Sequence, residues 1–137
     1  MKSFNNISRV VCAMTVQMGN ILHMDKTVDF VLNELKSIFH THRVEYPKLL
    51  SAQVLPTELK QLAIDRMENC KTTVNNNVNI SEKLREYTIN QLQYNINYLN
   101  ARDQYHMWDD SIEFNRRLDV TRKQNLFEVN PEFKDYV

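Results

Sequence analysis

The sequence has a single glycine, Gly19, in 137 residues, where average usage would give roughly ten. Glycine-rich phosphate loops and dinucleotide-binding fingerprints need several glycines, because other residues do not allow their tight turns and close backbone approach. Both kinds of nucleotide site are therefore excluded. A sheet-rich fold with many tight turns is disfavoured for the same reason.

An excess of charge of either sign is also missing, since 17 Lys and Arg residues balance 17 Asp and Glu residues. A net charge near zero gives no electrostatic reason to bind nucleic acid or an anionic membrane, and we expect neither partner. The longest apolar run, around Val10 to Met14, is too short to span a bilayer. The first six residues lack the apolar stretch of a signal peptide, so the expected location is the cytoplasm.

Cysteine is scarce, with only Cys12 and Cys70. Two cysteines so far apart form neither a local metal knuckle nor a disulfide framework, and their apolar neighbours indicate small core residues. The pattern His40-x-His42 is the nearest approach to a metal motif. Its side chains would diverge on a helix and share one side of an extended segment. Because a zinc site needs three or four ligands and no third is near, solvated histidines are predicted.

The N-terminal third reads as a strand, a helix and a connection. Arg9 to Gln17 is short, apolar and β-branched, which predicts a buried strand. A turn at Met18–Asn20 follows, where Gly19 is free to adopt a positive φ. Apolar residues at steps of three and four predict a helix from about Asp25 to Phe39. Val44–Tyr46 is a candidate second strand.

The remainder reads as helical. Pro56 suits the start of a helix, because its missing N–H costs nothing there. Asn79 and Glu82 have capping-box spacing and predict the start of a long second helix. Asp109 or Asp110 is expected to cap a further helix that runs to about Leu126. The residues from Pro131 onward are expected to form a loosely docked tail.

The predicted fold is therefore α+β, mainly α, with one or two short strands followed by three to four helices. Residues 1–137 form a single domain or domain fragment, with a strand–helix–connection unit at 1–55 and a helical region at 56–137. The residues predicted to be buried are Val16, Leu35, Leu62, Met67, Leu92 and Leu118. No complete catalytic constellation is present.

Three segments in order resemble a known family. The first is Thr15–Leu22 (TVQMGNIL), and the second joins Pro47 to Leu55-Pro56-x-x-x-Lys60. The third is Phe114-Asn115-x-x-Leu118-Asp119-x-x-Arg122-x-Gln124-Asn125, followed by Pro131-Glu132-Phe133. Together they resemble the C-terminal part of radical SAM proteins with a twitch-type extension. Many such proteins are encoded by phages and uncultured microbes, and the resemblance spans nearly the whole chain.

The resemblance implies the C-terminal part of a partial α/β barrel, in a bacterial or phage-infected host. In that family the N-terminal half-barrel contains Cys-x3-Cys-x2-Cys, which holds a [4Fe–4S] cluster that binds S-adenosylmethionine. This sequence lacks the motif, so it implies a C-terminal fragment, or a separate trailing gene product, that binds no cofactor and is not catalytic alone. Gln17 and Asn20, at the end of a late barrel strand, are the implied cofactor neighbours.

A second interpretation remains open: a non-enzymatic helical interaction protein, such as a phage accessory or structural subunit. Both interpretations predict association through the N-terminal strand, since a two-stranded sheet is marginal alone and an uncovered strand edge recruits another strand. The expected partner is the missing N-terminal half, another protein chain or a second copy.

Overall fold

Two parallel strands joined by a helical crossover begin the fold. The structure is a computed structural model and describes residues 10–137. Strand β1 spans Val11–Val16 and strand β2 spans Ile38–Arg43, and they pair in parallel along their whole length. Parallel neighbours cannot be joined by a tight hairpin, so the chain crosses over through helical turns. The strand predicted over Arg9 to Gln17 is present at Val11–Val16, but its predicted burial is wrong, because every second residue from Val11 to Thr15 is exposed.

The helical crossover between the strands ends earlier in the chain than the predicted helix. A 3₁₀ turn at Ile21–His23 leads into α1 at Met24–Asp29, and a π-helical turn follows at Phe30–Glu34. The single helix predicted to reach Phe39 is wrong in its last part. Phe39 lies in β2 and is fully buried, because pairing with β1 overrides the local helical spacing. Leu35 is 46% exposed, so its predicted burial is also wrong.

The connection after β2 contains no further strand. Val44 donates its N–H to the carbonyl of Val16 at 2.9 Å, which ends the ladder, so the strand predicted at Val44–Tyr46 lies just beyond the real one. Two 3₁₀ turns follow, at Lys48–Leu50 and Ala52–Val54.

Helices α2 and α3 form the main helical pair. Helix α2 spans Thr57–Asn75 and starts directly after Pro56, as predicted. Helix α3 spans Glu82–Ala101. Its cap is Ser81, whose Oγ accepts a hydrogen bond from the N–H of Leu84 at 3.2 Å. The predicted cap, Asn79, lies two residues too early, because a serine at the true boundary makes the same kind of bond.

Helix α4 spans Trp108–Arg122, and the short helix α5 spans Leu126–Val129. Asp109 and Asp110 lie inside the first turn of α4 and do not cap it, although carboxylates there favour the positive end of the helix dipole. Lys123 has a φ of 54°, which ends α4 in a left-handed residue before the predicted boundary at Leu126.

The core lies where the helical pair, the crossover and α4 meet. Val16, Met67 and Leu92 are buried as predicted, whereas Leu62 and Leu118 are only partly buried. The mainly helical α+β fold is confirmed, with the correction that helical turns also separate the two strands and five α-helices are present among residues 10–137.

The C-terminal tail is docked, contrary to expectation. Residues Pro131–Tyr136 form a 3₁₀ turn in which Phe133 is fully buried. The rings of Phe133 and Trp108 meet edge to face at 5.3 Å, and the Trp108 indole N–H donates to the Tyr136 carbonyl at 2.8 Å. The polar residues around Phe133 give no local indication of this long-range packing. Within the described chain, no helix combines the length and apolar character that crossing a bilayer requires.

Candidate functional site

The first and third of the three quoted segments meet at one end of the sheet, next to the connection between Pro47 and Leu55. Both strands end there, because they are parallel. The N–H of Met18 donates to the carbonyl of Leu50 at 2.9 Å, which joins the turn after β1 to the connection after β2. Asn115 on α4 donates to the Met18 sulfur at 3.3 Å, and Asn130 donates to the Gly19 carbonyl at 2.9 Å. This carboxyl edge is where parallel α/β sheets usually hold ligands.

The two residues proposed as cofactor neighbours have different roles in the turn after β1. Asn20 accepts the N–H of Gln17 at its Oδ1 and donates its Nδ2 to the Thr15 carbonyl, both at 2.9 Å. Its amide therefore closes the turn. The Gln17 side chain is half-buried and lines an open cleft. The structure thus assigns Asn20 a positioning contact and leaves Gln17 accessible.

That cleft, which we name the β1 cleft, has a volume of about 430 Å³ and lies between the turn after β1 and the end of α4. Its polar lining includes Gln17, Asn115, Asp119, Arg122, Glu128 and Asn130. Asp119 already has a structural role, since its Oδ2 accepts a hydrogen bond from the N–H of Leu126 at 2.7 Å. The mixture of amides and both charge signs suits a polar ligand and presents no nucleophile–base pair.

Asn115 is part of the third family-like segment but was given no site role from the sequence, and Asn130 was not named. Asn130 is fully buried, and its Oδ1 has no hydrogen-bond partner among the described residues. Gly19 contributes differently from the expectation, because its φ is not positive. A Cβ there would lie 3.4 Å from a Leu126 methyl carbon, which is at the short end of ordinary van der Waals contact. The sequence feature that could have indicated Asn130 is the Asn-Pro pair at 130–131, which lies beside the third family-like segment.

A second cleft, which we name the β2 cleft, opens at the end of β2 and has a volume of about 410 Å³. Arg43, the last residue of β2, places its guanidinium over the rings of Tyr94 and Tyr98, at 4.2 and 4.6 Å from their centroids. Lys48 and Arg102 also line this cleft. The sequence does not reveal this site, because the helix predicted up to Phe39 leaves no strand at Arg43 and the two tyrosines belong to the distant α3.

The two histidines of the metal-like pattern lie on β2. Their spacing puts them on one face of the strand, and their ring centroids are 4.7 Å apart. His40 Nδ1 is 2.6 Å from the Tyr87 hydroxyl. Within residues 10–137, no group of three His, Cys, Asp or Glu side chains is arranged to hold a metal ion.

The two thiols do not fit an iron–sulfur cluster. Cys12 lies half-buried on β1, whereas Cys70 lies buried on α2. Burial, followed by the charges of Asp25 and Asp29, raises the pKa of Cys70 to about 12. Cluster ligands are thiolates, and three are needed in the family's motif. No cluster-dependent step is therefore assigned to residues of this chain.

Comparisons with protein-family models, with curated proteins and with solved structures found no match to this chain.

Proposed function

We propose that this chain is the C-terminal part of a radical SAM protein with a twitch-type extension, and that it is not catalytic alone. The observation that supports the proposal best is the meeting of the first and third family-like segments at the carboxyl edge of a parallel β–α–β unit, beside the connection that leads to the second. A late portion of a partial α/β barrel has this arrangement of parallel strands, crossover and functional edge.

The free edge of the sheet supports this proposal. The outer edge of β2 is covered by α3, where Gln91 Oε1 accepts the N–H of Thr41 at 2.9 Å and Asn95 donates to the Thr41 hydroxyl at 3.0 Å. β1 has no second strand partner among the described residues. A two-stranded sheet is marginal alone, so a strand from the preceding half-barrel would complete it along β1.

The uncovered face of the sheet also supports it. Val11 is 52% exposed, and Ala13 and Thr15 on the same face of β1 are exposed too. The alternate residues of the strand point the other way, and Val16 is fully buried in the core. Strands from the missing half would surround and shield this face in a partial barrel.

The cofactors of the intact protein belong to the proposed N-terminal half. Its Cys-x3-Cys-x2-Cys motif would hold the [4Fe–4S] cluster, which binds S-adenosylmethionine for reductive cleavage. Within this chain, Gln17 would contact a polar cofactor group, since its half-buried side chain lines the β1 cleft. Asn20 would hold the Gln17 backbone in position through its bond to that residue's N–H.

The DNA upstream of the codon for Met1 tests this proposal. We expect a reading frame that encodes Cys-x3-Cys-x2-Cys, either continuous with this chain or in a separate adjacent gene. Its absence from the upstream DNA would contradict the radical SAM proposal, and the interaction-protein proposal would then stand alone.

The alternative proposal, a non-enzymatic interaction protein, is favoured by the apolar character of the same edge. Val10 and Val11 are 48% and 52% exposed at the start of β1. Zero net charge removes the repulsion that would keep copies apart. In this proposal a second copy pairs its β1 antiparallel to the first, which gives a self-complementary two-fold contact.

Substituting Val11→Lys should weaken association through β1 by about tenfold or more, since a lysine there opposes strand addition. Sedimentation velocity over a concentration series measures the effect. The matched control is Val120→Lys, because Val120 is 82% exposed on α4 and belongs to neither strand. Wild-type chain that stays monomeric and cooperatively folded at high concentration would contradict the need for an added strand.

A further inference from the structure

We propose that the β2 cleft is a binding site for a small phosphate-bearing anion, held by Arg43 together with Lys48 and Arg102. The site is independent of the radical SAM proposal, because it uses side chains of this chain alone. It lies at the carboxyl edge of β2, on a different part of the molecule from the open edge of β1.

Arg43 is held before any ligand arrives. Its guanidinium lies over the rings of Tyr94 and Tyr98, and its Nη2 donates to the Tyr94 hydroxyl. Tyr98 is fixed in turn, since its hydroxyl forms a 2.7 Å hydrogen bond with the buried Ser51 hydroxyl. Stacking between aromatic rings limits the rotamers of an arginine, so little conformational entropy is lost when its fork binds an anion.

Unlike Lys60 and Arg66, Arg43 has no anionic partner among residues 10–137. The half-buried Arg85 also lacks one, but its guanidinium donates to the backbone carbonyls of Asn77 and Ile80. Lys60 pairs with Asp103 at 2.8 Å, and Arg66 pairs with Glu132 at 2.9 Å. Among residues 10–137, Arg43 forms no ion pair, and its one side-chain hydrogen bond goes to a neutral hydroxyl. A partly desolvated guanidinium without a counter-charge is stabilised by an anion that accepts its remaining N–H groups.

The charges around the cleft favour a ligand with two negative charges. Arg43, Lys48 and Arg102 line it together with one carboxylate, Glu45, which leaves a local excess of two positive charges. Lys48 and Arg102 are exposed side chains, and neither forms an ion pair among the described residues. Arg102 directly follows α3, whose negative dipole end it offsets.

The chemistry and size of the cleft indicate a phosphate group on a small molecule. A guanidinium fork matches two phosphate oxygens, and lysine adds a point charge. A volume of about 410 Å³ is in the range of small-molecule sites. The buried Gln53 and the partly buried Gln104 add amide groups at the wall, where they hydrogen-bond to each other at 3.0 Å.

Isothermal titration of the purified chain with pyrophosphate, at constant ionic strength, tests the site. We expect a dissociation constant below about 1 mM for the wild type. Arg43→Gln should raise it about tenfold or more, and Arg43→Lys should also weaken binding because lysine lacks the fork. Lys83→Gln is the charge-matched control, since Lys83 lies in the first turn of α3, at the opposite end from Arg102, and should leave binding unchanged.

A second variant keeps the test decisive if Arg43→Gln fails to fold. Lys48→Gln combined with Arg102→Gln removes two exposed charges, so it should fold normally and bind about tenfold or more weakly. Circular dichroism checks the fold of each variant. No binding by the wild type, binding equal to wild type by the folded variants, or succinate binding as tightly as pyrophosphate would overturn the proposal.

Discussion

Replacing Leu92 with alanine should lower the free energy of unfolding by about 2–5 kcal/mol. Leu92 is fully buried on α3, in the core shared with α2 and the crossover. Truncation removes apolar contacts and leaves a cavity that its close-packed neighbours fill only in part. Urea denaturation followed by circular dichroism measures the change.

Leu35→Ala is the matched control for that substitution. The residue type and the change are identical, but Leu35 is 46% exposed after the π-helical turn. The Leu35→Ala substitution should lower the free energy of unfolding by less than about 1 kcal/mol, as is usual for surface sites. Equal losses at the two leucines would contradict the observed end of the crossover, because the sequence spacing predicts both residues to be buried.

Replacing Phe133 with alanine should cost about 3–5 kcal/mol and release the C-terminal turn. Phe133 is fully buried against Trp108. Trp108 is the only tryptophan in the chain, so its fluorescence reports directly on this contact. Exposure of the indole to water should shift its emission to longer wavelength in the folded variant.

Lys134→Ala provides the control for the C-terminal turn, since Lys134 is exposed beside Phe133. Its stability and tryptophan emission should match those of the wild type. If Phe133→Ala also left both quantities unchanged, the tail would be loosely docked, as the sequence alone suggests.

The sequence predicted correctly those helices and strands whose ends are determined by neighbouring residues. Pro56 marks the start of α2 because proline is tolerated only in the first turn of a helix. The apolar, β-branched run before Gln17 indicated β1. β2 was missed because Ile38 and Phe39 fit a helical stripe equally well, and only their pairing with β1 selects the strand. The docking of Phe133 was missed for the same reason, since its partner Trp108 is distant in sequence.

The candidate site could be predicted only in part. The turn after β1 is a local feature, and the family resemblance directed attention to Gln17 and Asn20 there. Which of them remains accessible depends on hydrogen bonds of the Asn20 amide that no spacing reveals. Arg43 depends on tyrosines of α3 about fifty residues away. Long-range contacts of this kind leave no pattern within a short window of sequence.

We propose, as the central claim, that this chain needs a preceding half-barrel to form a radical SAM site. Anaerobic reconstitution with iron and sulfide tests this claim most directly, with this chain alone compared with the same chain joined to the half-barrel that the proposal expects to be encoded upstream. We predict that the chain alone stays colourless, because Cys12 and Cys70 cannot supply three cluster ligands. The joined protein should take up a [4Fe–4S] cluster and cleave S-adenosylmethionine on reduction. A stoichiometric cluster on the chain alone, or none on the folded joined protein, would contradict the central claim.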